Sequence, residues 1–267
     1  MPTSIDPRAV VSPKATLAHN VSVGPFTVVE PGAVIGEGTT VASNVLVSGG
    51  ARIGKECRIH HGAVIGHEPQ DLKYAGEPTT CELGDRNVVR EFATLHRGTG
   101  EGGRTIIGND NFLMAYCHIA HDCVLGNRII MANAASLAGH VDVEDYVIIG
   151  GLTPVHQFTR LGQHSMIGGG LRVGKDVPPY VLAGGEPVTF EGLNSIGLRR
   201  RGFSPETLEA LDRAYALIYH ANLNVSQAVA RIEADAALSA VPEVRTVLEF
   251  IRRSKRGIIP GPRLLSR

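Results

Sequence analysis

Four of the chain's eleven histidines fall close together: His118 and His121 in CHIAHDC, His140 in LAGH and His156 in PVHQF. Asp122 directly follows His121. An imidazole beside a carboxylate can accept a proton from an alcohol, because the acid fixes the ring tautomer and stabilises the imidazolium that forms. Three imidazoles can equally hold a zinc ion. Spacing alone leaves both chemistries open. The cysteines, at 57, 81, 117 and 123, show no CxxC spacing, and without a secretory signal they read as reduced thiols.

What must position these histidines is a short internal repeat. From Ile5 in steps of six the chain reads Val11, Leu17, Val23, Val29, Ile35 and onward to Val173; of these 29 positions, 26 are aliphatic. The three failures, Asp71, Glu77 and Glu101, fall in two patches, and the frame survives both. Four residues after each aliphatic comes a small or β-branched one, as at Ala9, Ala15, Val21 and Thr27. A helix would need apolar spacings of three and four, and a two-sided strand strict alternation. A period of six instead fits a solenoid whose short strands each turn one large and one small side chain inward, so that stacked coils share a core. Cys57, Cys117 and Cys123 occupy the small inward slot, which favours packing over nucleophilic catalysis. Thirty-two glycines and no tryptophan suit many short strands turned at small residues.

The repeat resembles that of the hexapeptide-repeat transferases, which implies a left-handed parallel β-helix with three strands, and so eighteen residues, per coil. That hand runs against the usual right-handed crossover and is not derivable from the spacing. With eighteen residues per coil, His121 lies below Gly139 and then Gln157, while Asp122 lies below His140. A backbone N–H at Gly139 could then meet an oxyanion forming on a carbonyl under attack.

The two interruptions, residues 67–82 (HEPQDLKYAGEPTTCE) and 97–106 (RGTGEGGRTI), read as loops leaving the prism. After Val177 the hexad frame is lost, and a composition break near residue 190 suggests a solenoid over 1–188 and an α-helical C-terminal domain over 189–267. Ser204 and Pro205 start one helix, a second is expected across Gln227 to Leu238, and a third from Pro242 to near Arg253. Twenty-six basic and twenty-six acidic side chains give no global field to attract nucleic acid or an anionic membrane. No stretch approaches about eighteen apolar residues, so no transmembrane segment is expected and the location reads as cytoplasmic.

Several blocks narrow the resemblance: QDLKYAGEPT (70–79), LHRGT (95–99), HIAHDC (118–123), LAGHV (137–141), VHQF (155–158), DVPPYV (176–181) and RRGF (200–203). Together they look like the UDP-N-acetylglucosamine acyltransferases, the family that opens lipid A biosynthesis. The resemblance implies that His121 is the general base deprotonating the sugar 3-hydroxyl for attack on an acyl carrier protein thioester, with Asp122 as its partner and Gly139 as oxyanion donor. It further implies that Gln70, Asp71, Lys73, His96, His118, His140, His156 and Gln157 bind substrate, that Gly169 leaves the acyl groove open to a longer 3-hydroxyacyl chain, and that Asn194 and Arg200 or Arg201 reach the nucleotide from a neighbouring subunit of a homotrimer. No metal and no cofactor is implied. The chain departs from the pattern at Pro187, where a histidine is usual, and at Ile196, where an acid is. Transfer to a 3-amino analogue of the sugar stays open, as does a zinc-dependent hydratase on the same solenoid. A noncatalytic solenoid would show a uniform face, which the histidine cluster and loops argue against.

Overall fold

The computed structural model describes residues 2–261. Strands of mostly two residues recur in the hexad frame from Ser4–Ile5 to Met166–Ile167, broken only at the two insertions, and nearly all end on a hexad aliphatic. Among the described residues they form three parallel sheets of nine, eight and eight strands around one core, wound as a left-handed parallel β-helix, and two further strands extend the first sheet to eleven. Residues eighteen apart pair, as Val10 with Val28 and His118 with Ser136. Across the insertions the offset grows, Arg58 pairing with Val88 and Thr94 with His118, yet each aliphatic still meets an aliphatic. The hydrophobic face therefore sets the register, since a one-residue slip would turn every aliphatic outward.

Both interruptions leave the coil, and both are shorter than the sequence suggests. Val64–His67 and Thr80–Leu83 are strands, so the first excursion spans 68–79; Thr94–His96 and Arg104–Ile107 confine the second to 97–103. The strands run on because their extra residues pair, Thr80 with Arg104 and His67 with His96. Arg97 ties the first loop to the coil: it donates to the Tyr74 hydroxyl at 2.7 Å and to Glu68 at 3.2 Å.

The interior holds the hexad aliphatics with small partners such as Ala33, Ala63, Ala93 and all four cysteines. Its buried amides are paired: the Asn111 N–H donates to Asn87 Oδ1 at 2.9 Å and the Ile129 N–H to Asn111 Oδ1 at 2.8 Å. At many corners a non-glycine residue takes the left-handed conformation, among them Asp122 (φ 57°), His140 (φ 58°) and Phe158 (φ 62°). Each such residue costs on the order of 1 kcal/mol, a strain the coil ladder overrides.

Beyond the coil, Val181–Gly184 adds in parallel to Met166–Ile167, and Thr189–Leu193 pairs antiparallel with it, carrying the eleven-stranded sheet across residue 188. Among the described residues five helices follow: α1 (Ser195–Arg200), α2 (Pro205–Tyr219), α3 (Val225–Ala234), α4 (Ala236–Ser239) and α5 (Pro242–Arg253). The Ser204 hydroxyl caps α2 by accepting the Thr207 N–H. The single helix expected over 227–238 is split, because the Asp235 carboxylate accepts the N–H groups of Ala237 and Leu238 and starts α4 afresh. Among the described residues no helix is long and apolar enough to cross a membrane.

Candidate active site

His121 and Asp122 sit at one corner of the prism, on the turn after the strand His118–Ile119. His121 Nδ1 lies 2.9 Å from Asp122 Oδ2, which leaves Nε2 as the outward nitrogen. Asp122 has a second partner that the hexad spacing does not reveal. Both Thr99 groups, its N–H (3.1 Å) and its hydroxyl (2.6 Å), donate to the carboxylate from the second loop. Burial opposes its charge, but the hydrogen bonds from Thr99 and His121 outweigh that, and the carboxyl is held below its ordinary range. Asp122 thus stays ionised and fixes His121 as the tautomer with a bare Nε2.

One coil above, Gly139 closes over the ring. A Cβ there would fall 2.4 Å from His121 Cε1 and 2.6 Å from Nε2, so the imidazole occupies the space a side chain would need. Gly139 is the first residue of its turn, and its N–H takes no part in the backbone ladder of the described residues, whereas its carbonyl accepts from Phe158. His140 continues the column: its Nε2 is 3.7 Å from Asp122 Oδ2, its ring meets His121 edge-on at 5.2 Å, and it stacks on Phe158 at 4.8 Å.

On the other side of His121 two more imidazoles line up. His118 Nδ1 pairs with the Thr94 hydroxyl at 2.7 Å, and burial, with His121 nearby, lowers its pKa. His96 meets His118 edge-on at 5.0 Å; burial first, then the neighbouring histidines, push its pKa down to about 4, so it is neutral. From the first loop, Asp71 Oδ2 stands 3.9 Å from His121 Nε2, while its Oδ1 accepts the Lys73 N–H. Gln70 and the Lys73 side chain are exposed. His121, Asp122 and His140 also offer ligand atoms within 4.8 Å of one another, the donor set of a metal site. Asp122 Oδ2 is already engaged by His121 and twice by Thr99, which suits an orienting acid better than a ligand.

The remaining expected residues lie apart from this cluster within the chain. His156 and Gln157 are exposed above Gly139, with His156 Nδ1 turned to the Gln157 carbonyl. Gly169 is exposed at a turn, where a Cβ would come 3.1 Å from the Gly151 carbonyl. Asn194 and Arg201 belong to a different corner. Asn194 is buried and donates its amide to the His164 carbonyl; Arg201 lies over Tyr146 and donates to its carbonyl. Arg200 and Ile196 are exposed on α1.

This geometry, on three-strand coils of hexapeptides, defines a hexapeptide-repeat acyltransferase. The bacterial transferase hexapeptide model matches residues 32–67, and that for domain 2 of UDP-N-acetylglucosamine O-acyltransferase matches 176–259. An acyl-[acyl-carrier-protein]–UDP-N-acetylglucosamine O-acyltransferase of Thiobacillus denitrificans is 54% identical over 96% of this chain and 99% of its own length. Among solved structures, UDP-N-acetylglucosamine acyltransferases from Francisella novicida (39% identity, 97% and 94% of the two chains) and Bacteroides fragilis (45%, 95% and 99%) superpose with TM-scores of 0.93. The chain belongs to the UDP-N-acetylglucosamine acyltransferase family.

Proposed function

We propose that the protein transfers a (3R)-3-hydroxyacyl group from acyl carrier protein to the 3-hydroxyl of UDP-N-acetylglucosamine, the opening step of lipid A biosynthesis, with His121 as general base. The observation that carries this reading is the His121–Asp122 bond, which leaves Nε2 bare beneath the corner of Gly139. The sugar oxygen attacks the thioester carbonyl while its proton passes to Nε2. The tetrahedral oxyanion is met by the Gly139 N–H. Collapse expels the carrier thiolate, which recovers the proton from His121. Asp122 steadies the imidazolium between the two transfers, and Asp71, 3.9 Å from Nε2, favours the same charge.

A homotrimer belongs to the same reading. Asn194 and Arg201 lie on a corner other than that of His121, so nucleotide contacts from them require a neighbouring copy. Exposed Phe26, Phe92, Tyr116 and Leu152 along another corner, and Leu72 beside Asp71, offer apolar surface for such packing. Gly169 keeps the groove open for a long acyl chain. The test is a transfer assay with UDP-N-acetylglucosamine and 3-hydroxyacyl carrier proteins of graded length. His121→Ala is expected to lose about a hundredfold or more in rate, and long chains to be preferred. A folded variant with an unchanged rate would refute the assignment of the base.

A further inference from the structure

Arg97 opens the second excursion, and its side chain runs back to the first. That side chain is only 17% exposed, with Cζ 5.6 Å from the centre of the Tyr74 ring. One nitrogen, Nη2, serves both the Tyr74 hydroxyl and Glu68. Among the described residues these are the only hydrogen bonds that join residues 68–79 to the coil. The coil makes room for the arginine stem, since a Cβ at Gly50 would fall 2.9 Å from Arg97 Cδ. Arg97 Nε is buried there without a hydrogen-bond partner among the described residues, which makes the residue a poor choice for stability alone.

Asp71 belongs to the turn that Arg97 holds. Its Oδ1 accepts the Lys73 N–H at 2.9 Å and its carbonyl the Tyr74 N–H at 3.0 Å, so fixing Tyr74 fixes Asp71. The Tyr74 hydroxyl also donates to the Glu77 carbonyl at 3.0 Å, which brings the far limb of the loop to the same point. Asp71 Oδ2 then stands 3.9 Å from His121 Nε2. Two residues beyond Arg97, Thr99 holds the carboxylate of Asp122, the partner of His121 Nδ1. The segment 97–99 therefore sets the carboxylates that face both nitrogens of one imidazole.

We propose that Arg97 is a positioning residue that acts through Asp71: its guanidinium latches the first loop and so holds the Asp71 carboxylate against the outward nitrogen of His121. The part that carboxylate plays in transfer rests on the general-base reading of His121; the latch itself does not. With the latch made, Asp71 favours the imidazolium that forms as the acceptor hydroxyl gives up its proton. With it broken, the loop keeps its acid but no longer presents it at one place. Lysine at position 97 supplies a single ammonium where arginine supplies a planar fork that bonds the hydroxyl and lies over the ring, so lysine restores the latch only in part.

In the full-length chain, Arg97→Met, Arg97→Lys, Asp71→Asn and the double variant of Arg97→Met with Asp71→Asn are compared with wild type. Loop position is read without turnover, as the rate at which a lysine-specific protease cuts the native protein after exposed Lys73, beside thermal melting. Arg97→Met is expected to speed that cut about tenfold with a melting temperature close to wild type, and Arg97→Lys to fall between. Tyr74→Phe, which deletes the latch from the loop side without touching the coil, should match Arg97→Met and decides the case if that variant melts early. In transfer assays Arg97→Met should lower kcat about tenfold with the carrier KM within about twofold, and the double variant should be no slower than Asp71→Asn alone. An unchanged cut after Lys73, or an unchanged kcat in Arg97→Met, overturns the proposal. A double variant slower than Asp71→Asn overturns the route through Asp71 and leaves Arg97 a structural residue. A wild type without transfer activity sinks the general-base reading, and the cleavage rates then decide the latch alone.

Discussion

A methyl group at position 139 would meet three atoms of the His121 ring, at 2.4 Å from Cε1, 2.6 Å from Nε2 and 3.0 Å from Nδ1. Ordinary contact begins near 3.4 Å, so in Gly139→Ala the ring must retreat by about 1 Å. That movement stretches the 2.9 Å bond to Asp122 or swings Nε2 away from the acceptor hydroxyl. The backbone is no obstacle, since Gly139 is not among the positive-φ residues. Alanine also keeps the N–H proposed to meet the oxyanion, so on that reading the loss reports the position of the proposed base. A misplacement of this size costs about a hundredfold in kcat, or about 2.7 kcal/mol of barrier. Crowding should lower stability by about 1–3 kcal/mol. Initial rates of sugar-nucleotide acylation, paired with thermal melting, measure both. A folded Gly139→Ala protein with a rate within about threefold of wild type would show that proton transfer does not depend on this packing.

Asp122→Asn preserves shape but removes the charge that orients His121, and kcat should fall by about a hundredfold or more with the melting temperature near neutral pH also reduced. Its folded pKa is depressed, so this stabilisation is present above the ordinary carboxylate range and fades as pH falls through the folded value; melting curves of the two proteins should converge in acid. His96 and His164 are each pushed down to about 4, chiefly by burial, so the unfolded chain binds protons first and stability drops between the ordinary 6.5 and 4. His164→Phe, which keeps the stack on Tyr146, should flatten that drop by roughly one proton in melts taken across pH. Burial raises Cys81 and Cys123 to about 12 and Cys117 to about 11. A disulfide reagent at about pH 8 should therefore leave native thiols unlabelled and acylation intact, while denaturant exposes all four.

The hexad frame made the coils legible because each aliphatic packs on its equals above and below, and the column arithmetic placed His121 under Gly139 and Asp122 under His140 correctly. Eighteen-residue counting works only between insertions. Thr94 lies 24 positions before His118 and Thr99 23 before Asp122, so neither partner could be found by the repeat, although both are short bonds in the structure. The same blindness hid the link from Arg97 to Tyr74, which crosses the first excursion. In the tail, α1 went unseen because no side chain caps it: Asn194, at its N-cap, spends its amide on His164 instead. Asn194 and Arg201, expected from the motif to reach a nucleotide in a neighbouring copy, also fasten the tail to the coil of their own chain, a role that the motif does not reveal.

On the proposed mechanism, the corner of His121 and Asp122 shows how a solenoid of two-residue strands can carry acid–base chemistry. A left-handed corner residue sends its side chain out of the prism, and the residue one coil on does the same about 4.8 Å higher. Corner side chains must therefore stack, as Tyr146 does on His164 and Phe92 on Tyr116. At Asp122, His140 and Phe158 the same column receives a carboxylate, an imidazole and an aromatic ring. The acid is then charged and fixed by a loop that the repeat does not encode, through Thr99. Stacking alone would leave His121 rocking between coils; the glycine above and the threonine-held carboxylate beside it reduce the ring to one orientation. The geometry proposed for the base thus rests on two departures from the repeat, a missing Cβ and an inserted loop. Thr99→Val, which deletes the hydroxyl bond to Asp122 but keeps the N–H, should lower kcat less than Asp122→Asn does, and kinetics of the two variants side by side check that order.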